Sequence, residues 1–277
     1  MEYTEIAIRL NEMNPFADIL VAKLDEIQFE SYAEEMDVLK AYVQTHLLDK
    51  NAVKKIINEI GELTDISFTI KKLKHQNWNQ KWESDYKHVF INDMCVVRSD
   101  FHDPIPEVKY EIIISPKMSF GTGHHETTSL IMNQMFELNF KGRSVLDMGS
   151  GTGILSILAS KLGAVNLVGI DTDEWAFKNA IENSNLNNLT DIRFIHGNVS
   201  AIPDIGFDIV LANINRNIIL QDMARYINVM TDNAGIILSG FLKKDLPLII
   251  ERSIELGLKL VTLKNKKQWQ MVYLERA

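Results

Sequence analysis

Apolar and polar residues alternate through "YTEIAIRL", as in a strand with one buried face. Asn14-Pro15 follows, offering an N-cap and a first-turn proline to a helix through "FADILVAKLDEI". Two short strand candidates, around "QFESYAE" and "MDVLKAYVQ", lead to a second helix, "NAVKKIINEI". Asp49 can cap it, and Val53, Ile56, Ile57 and Ile60 fall on one face. "DISFTIKKL" closes the set as a strand. The order β-α-β-β-α-β is that of the ferredoxin-like split unit, so residues 1–74 are expected to form a small α+β domain. No residue in it forms a catalytic set, and it reads as a recognition module. Residues 75–90, "HQNWNQKWESDYKHVF", read as a linker helix in which Trp78 and Trp82 share a face for packing between domains.

From Val89 onward the pattern changes. Short strands apolar throughout ("SVLDM", "NLVGID", "DIRFIHG", "FDIVLANI") alternate with amphipathic helices such as "ILSILASKLG" and "DEWAFKNAIENSNLN". Such strands imply a parallel sheet covered on both faces, an α/β domain over residues 91–277. "AGIILSG", a helix through "LIIERSIELG" and the end "KLVTLKNKKQWQMVYLER" add a strand, a helix and a hairpin-like pair.

Composition narrows the class. The 277 residues favour two domains, and 46% hydrophobic with 24% charged residues is enough for a sizeable core. No run approaches the ~20 apolar residues of a membrane span, and the charged start is unlike a signal peptide. A single cysteine, Cys95, excludes an internal disulfide and a cysteine-rich zinc site, so a cytoplasmic protein is expected. A net charge of -8 disfavours a nucleic-acid coat and suits a basic partner or an amine substrate, although "KKLKHQNWNQK" is a local basic island.

The chemistry concentrates in "VLDMGSGTG", a strand ending in a glycine turn that opens a helix. Gly149, Gly151 and Gly153 permit positive φ and let a ligand approach the backbone. A dinucleotide fingerprint needs a third glycine where this chain has Ile154 or Ser156. Asp147, just before the turn, would repel a pyrophosphate but can pair with an ammonium group. Asp171, at the end of the next strand, suits both hydroxyls of a ribose, with Asp173 available as a helix cap. Ammonium, backbone approach and ribose together describe S-adenosyl-L-methionine. "HGN", residues 196–198, is the expected adenine edge. Asn213, at the end of "FDIVLAN", is positioned to accept N–H bonds from an amine nucleophile and aim its lone pair.

"FGTGHHETT", residues 120–128, precedes the helix leading into the glycine-turn strand and is expected to cover the ligand as a lid. Thr127 and Thr128 can cap that helix or bond a carboxylate. His124 and His125 diverge as neighbours and lack companions for a tetrahedral set, so no metal is expected. Loop packing accounts for at least one of the pair.

At these motifs the chain strongly resembles the ribosomal protein L-eleven methyltransferases, PrmA, over essentially its whole length. "FGTGHHETT" is the most specific element, since many methyltransferases share "LDMGSGTG". The resemblance implies a class I, Rossmann-like, seven-stranded methyltransferase domain behind a ferredoxin-like substrate-recognition domain. It implies cofactor contacts at Thr128, Gly149, Asp171 and Asn213, and trimethylation of lysine and N-terminal α-amines on a large-subunit ribosomal protein. The chain departs from the family at "SPKMS", at His124 and at Asn215. A monomer without stable nucleic-acid binding is expected. The alternative is an RNA or small-molecule methyltransferase on the same fold.

Overall fold

The computed structural model describes residues 2–73, 87–115 and 121–277. The chain divides into two compact units, Met1–Tyr86 and Lys87–Ala277. The first contains β1 (Tyr3–Leu10), α1 (Phe16–Asp25), β2 (Ser31–Glu35), β3 (Val38–Gln44), α2 (Lys50–Gly61) and β4 (Ile66–Lys72). Its four strands form a sheet in the order β2-β3-β1-β4, antiparallel at every step. The alternation in β1 buries Ile6, Ile8 and Leu10, which join Leu39, Ala41 and Val43 of β3. Leu20 and Leu24 of α1 and the face of α2 anticipated at Val53, Ile56, Ile57 and Ile60 complete this core.

Asp49 caps α2 as its position suggested, accepting from the amides of Asn51 at 2.9 Å and Ala52 at 3.1 Å. Asn14 does not cap α1. Pro15 holds the cap position without a side-chain bond, and the amide of Ala17 is met by the Met13 carbonyl at 2.7 Å. A backbone turn thus satisfies the helix start before Asn14 is needed. Most of the expected linker helix, with Trp78 and Trp82, lies outside the described residues. Its last two residues, Val89 and Phe90, belong to a strand instead.

The second unit opens with three short strands that the sequence pattern does not announce: β5 (Val89–Ile91), β6 (Cys95–Arg98) and β7 (Tyr110–Ile113), forming a sheet of their own. Runs of three or four residues are too brief to display a period. Then come α3 (Glu126–Met135), β8 (Ser144–Met148), α4 (Ile154–Lys161), β9 (Val165–Asp171), α5 (Glu174–Leu186) and β10 (Ile192–His196). They are followed by β11 (Phe207–Asn213), α6 (Arg216–Asn228), β12 (Met230–Leu242), α7 (Leu246–Glu255), β13 (Leu258–Lys266) and β14 (Trp269–Arg276).

The large sheet has the order β10-β9-β8-β11-β12-β14-β13. Five strands are parallel, and β14 runs antiparallel to both of its neighbours, so the sheet is mixed rather than wholly parallel. Successive side chains feed opposite faces: Val145, Ile209, Leu211 and Ile237 enter one core, while Leu146, Val210, Ala212 and Leu238 enter the other. No helix among the described residues is long and apolar enough to cross a membrane.

Asparagines on α5 dock the small sheet. Asn187 accepts from the Ile113 amide at 3.0 Å and donates to its carbonyl at 2.7 Å, while Asn183 accepts from the Ser115 amide at 2.8 Å. Placed four residues apart, on the last turn of α5 and at its C-cap, these amides satisfy backbone groups at the end of β7 and just after it.

Candidate active site

A cavity of about 1010 Å³ opens at the carboxyl ends of β8, β9, β10 and β11, where parallel α/β sheets hold ligands. Gly149 and Gly151 line it beside Asp171, Asn198 and Asn213. The glycine turn takes the positive φ its composition suggested: +69° at Gly149, +55° at Gly151 and +77° at Gly153. At Gly149 the need is also steric, because a Cβ there would run into the Ile214 side chain.

Gly153 does not reach the ligand space. It occupies the N-cap of α4, and a Cβ would meet Ala180 and Phe194 at 3.1 Å, so it serves helix packing. Asp147 also departs from expectation. Only 1% exposed, it lies outside the cavity lining, with Oδ2 accepting from the Ser156 amide at 3.2 Å and its hydroxyl at 2.7 Å. Strand alternation is the reason: Asp147 shares a face with Val145 and turns toward α4, whereas Met148 lines the cavity. Burial pushes its carboxyl up to about 7, against the lowering effect of Ser156 and with a further rise from the Asp171 charge.

Asp171 is held in place by two backbone amides. Oδ2 accepts from Gly151 at 2.8 Å and Oδ1 from Asp173 at 2.9 Å, which ties the second strand end to the glycine turn. Asp173 caps α5 through the amides of Trp175 and Ala176, as its position suggested. Gly197 and Asn198 line the cavity on the β10 side.

Asn213 donates through Nδ2 to the Thr128 hydroxyl at 3.2 Å, and its Oδ1 is buried without a partner among the described residues. Thr128 is fully buried and is not part of the lining, whereas its neighbour Thr127 is. One helical step of roughly 100° separates the two side chains, so Thr127 meets the cavity and Thr128 meets Asn213. Neither threonine is the cap of α3. His125 takes that role, its Nδ1 lying 3.3 Å from the Thr127 amide and 2.8 Å from the Thr127 hydroxyl.

The described part of the loop, from Gly121, is fastened to the glycine turn by Thr152, whose hydroxyl donates to the Gly121 carbonyl at 2.6 Å. His124 Nε2 lies 2.8 Å from the Lys87 carbonyl. His125 lines the cavity and meets Trp269 edge-on, with ring centroids 4.8 Å apart. Both histidines are thus engaged in packing and capping, and no group of metal-binding side chains assembles among the described residues. The β13–β14 hairpin carries Trp269 to the cavity and is fastened to α3 by Lys267 on Glu126 and by Lys266 on Ser129.

The arrangement joins a glycine turn, a ribose-compatible carboxylate and an unpartnered amide oxygen in one cavity. A family profile described as Ribosomal protein L11 methyltransferase (PrmA) matches residues 7–277. The chain belongs to the ribosomal protein L11 methyltransferase family. It is 42% identical over 258 residues to a protein of that name from Bacteroides thetaiotaomicron, covering 92% of each chain. It is 40% identical to the one from Phocaeicola vulgatus, covering 98% of each. A crystal structure of a ribosomal protein L11 methylase from Lactobacillus delbrueckii subsp. bulgaricus superposes with a TM-score of 0.65 at 26% identity, covering 69% of this chain and 99% of that one.

Several lining residues of this family member carry no motif signal: Trp175, Ile218, Asp222, Tyr226 and Trp269. Gly240 carried a faint one, as a glycine at the end of the "IILSG" strand. Its φ is +98° and a Cβ would strike the Ile214 backbone, so it holds the residue after Asn213 in place.

Proposed function

We propose that this protein transfers methyl groups from S-adenosyl-L-methionine to lysine and N-terminal amines of ribosomal protein L11. The observation that carries the reading is the unpartnered Oδ1 of Asn213, in the same cavity as Gly149, Gly151 and Asp171. When bound, the cofactor supplies a methyl group on a positively charged sulfur, open to in-line attack. The residues present fit it: Asp171 retains acceptor capacity for ribose hydroxyls, and Gly149 and Gly151 offer backbone without side chains. Asp147 and Gly153 shape the turn from behind, and Thr128 acts through Asn213.

An unperturbed lysine is neutral in only about one molecule in a thousand near pH 7.4. Apolar surroundings lower an amine's pKa, and Met148, Ile214 and Trp269 provide them here. Asn213 Oδ1 accepts an N–H of the neutral amine and turns its lone pair toward the cavity. The Thr128 hydroxyl fixes the amide by accepting from Nδ2, so its orientation is set before the substrate arrives.

The N-terminal unit is the substrate-recognition module. Its sheet order β2-β3-β1-β4 with two helices on one face supports the ferredoxin-like assignment, and the seven-strand order supports the class I assignment of the second unit. We read the protein as a cytoplasmic monomer without stable nucleic-acid binding, consistent with its net charge of -8.

Ribosomal proteins from cells lacking this protein, incubated with it and S-adenosyl-L-methionine, are expected to show mass gains in multiples of one methyl group on L11 alone. Gains on RNA or on a small molecule, with none on any protein, would overturn the substrate assignment.

A further inference from the structure

The cavity extends beyond the strand ends along α6, where Ile218, Asp222 and Tyr226 line one wall. Four residues apart, Asp222 and Tyr226 share a helix face. Tyr226 is fully buried, and its hydroxyl has no hydrogen-bond partner among the described residues. A buried hydroxyl left in that state costs stability unless a ligand completes it. Among the described residues Asp222 also makes no hydrogen bond or ion pair, burial raises its pKa, and its charge adds to the rise that burial causes at Tyr226.

Asn198, which lines the same cavity, is already committed. Its Oδ1 takes the Ser200 amide at 3.0 Å and the Ser200 hydroxyl at 2.7 Å, which leaves only its amide N–H groups for a ligand. The loop after β10 therefore offers side-chain donors but no free side-chain acceptor at Asn198. Ile170, Val199 and Ile218 add apolar surface to the lining. Such a slot suits a flat heteroaromatic ring whose edge carries both an N–H donor and a ring-nitrogen acceptor.

Building on the cofactor reading above, we propose that α6 reads the amino edge of the cofactor's adenine. The Asp222 carboxylate accepts from the exocyclic amine, and the Tyr226 hydroxyl donates to a ring nitrogen. The adenine edge expected at residues 196–198 is thus shared with a helix some twenty-five residues further along the chain. Asp222 and Tyr226 are specificity-determining residues for the cofactor.

The test compares S-adenosylhomocysteine with S-inosylhomocysteine by calorimetry on the full-length protein without other ligands. In the inosine analogue a carbonyl replaces the amine and the adjacent ring nitrogen gains a hydrogen. The wild-type protein is expected to prefer the adenosine compound by about a hundredfold, because the carbonyl would face the Asp222 carboxylate. Asp222→Asn should reduce that preference to within about fivefold, since an amide can donate to the carbonyl. Tyr226→Phe should weaken S-adenosylhomocysteine by about tenfold without lowering the melting temperature, as it removes an unsatisfied hydroxyl. Equal binding of both compounds by the wild type, or an unchanged preference in Asp222→Asn, overturns the inference and leaves the cofactor reading intact. Failure to bind either compound overturns both.

Discussion

The two larger sheets of this protein follow one burial rule and arrive at different ends. In the N-terminal unit, β1 alternates strictly and packs its apolar side against two helices. In the C-terminal unit, strands such as β8 and β11 bury both sides, giving two cores around one sheet. The contrast sharpens at the polar atoms. Among the described residues, buried side-chain nitrogens and oxygens without a partner fall only in the second unit. Two of them, Asn213 Oδ1 and Tyr226 OH, belong to residues that line the cavity. A folded chain normally satisfies such groups, so two left open on residues of one cavity point to a ligand that completes them. The first unit has a core of its own and, among its described residues, no such unpartnered group.

The largest effect should come from separating the two. Removing residues 1–86 is expected to abolish methylation of the ribosomal substrate while S-adenosylhomocysteine affinity, measured by calorimetry, stays within about threefold of the full chain, since a factor of three is below 1 kcal/mol. Retained methylation would show that the first unit does not recognise substrate. Next, Asn213→Ala should lower kcat by about a thousandfold, or about 4 kcal/mol, with cofactor affinity nearly unchanged. A fall in affinity of the same size would move Asn213 from amine positioning to cofactor binding.

Asp147→Asn probes a buried group of the second unit away from the ligand. With a folded pKa near 7 and an ordinary unfolded value near 4, the native state holds the extra proton between those limits. Stability conferred by that proton is full below about pH 4 and lost as pH rises toward 7. The asparagine variant should therefore lose this slope and gain up to about 4 kcal/mol relative to wild type at pH 8. Denaturant melts across pH 4–8 measure it, and parallel curves for the two proteins would reject the buried proton.

Asp171→Ala should cost about a hundredfold in S-adenosylhomocysteine affinity with an unaltered circular dichroism spectrum, through the loss of hydrogen bonds to a charged acceptor. Unchanged affinity would discard the ribose assignment. Smallest is Asp49→Ala in the first unit, which removes the α2 cap for about 1 kcal/mol and should leave cofactor binding untouched. A change in binding there would mean the two units are energetically coupled.

What the sequence determined alone is whatever depends on neighbours along the chain. Alternation marked β1, the helical spacing of Val53, Ile56, Ile57 and Ile60 marked the buried face of α2, and the clustered glycines marked the turn after β8. Asp49 and Asp173 were legible as caps because a cap bonds amides two or three residues away. Thr128 and Asn213 were both candidates from their motifs, but their mutual bond joins positions 85 residues apart. Only packing decided that Asp147 turns to Ser156, that Thr127 meets the cavity in place of Thr128, and that Asn183 and Asn187 satisfy β7. The same holds for Asp222 and Tyr226, which carry no motif and line the cavity only because α6 borders it. Local periods determine which side of an element is buried, but the partner a polar side chain meets there depends on how distant elements pack together.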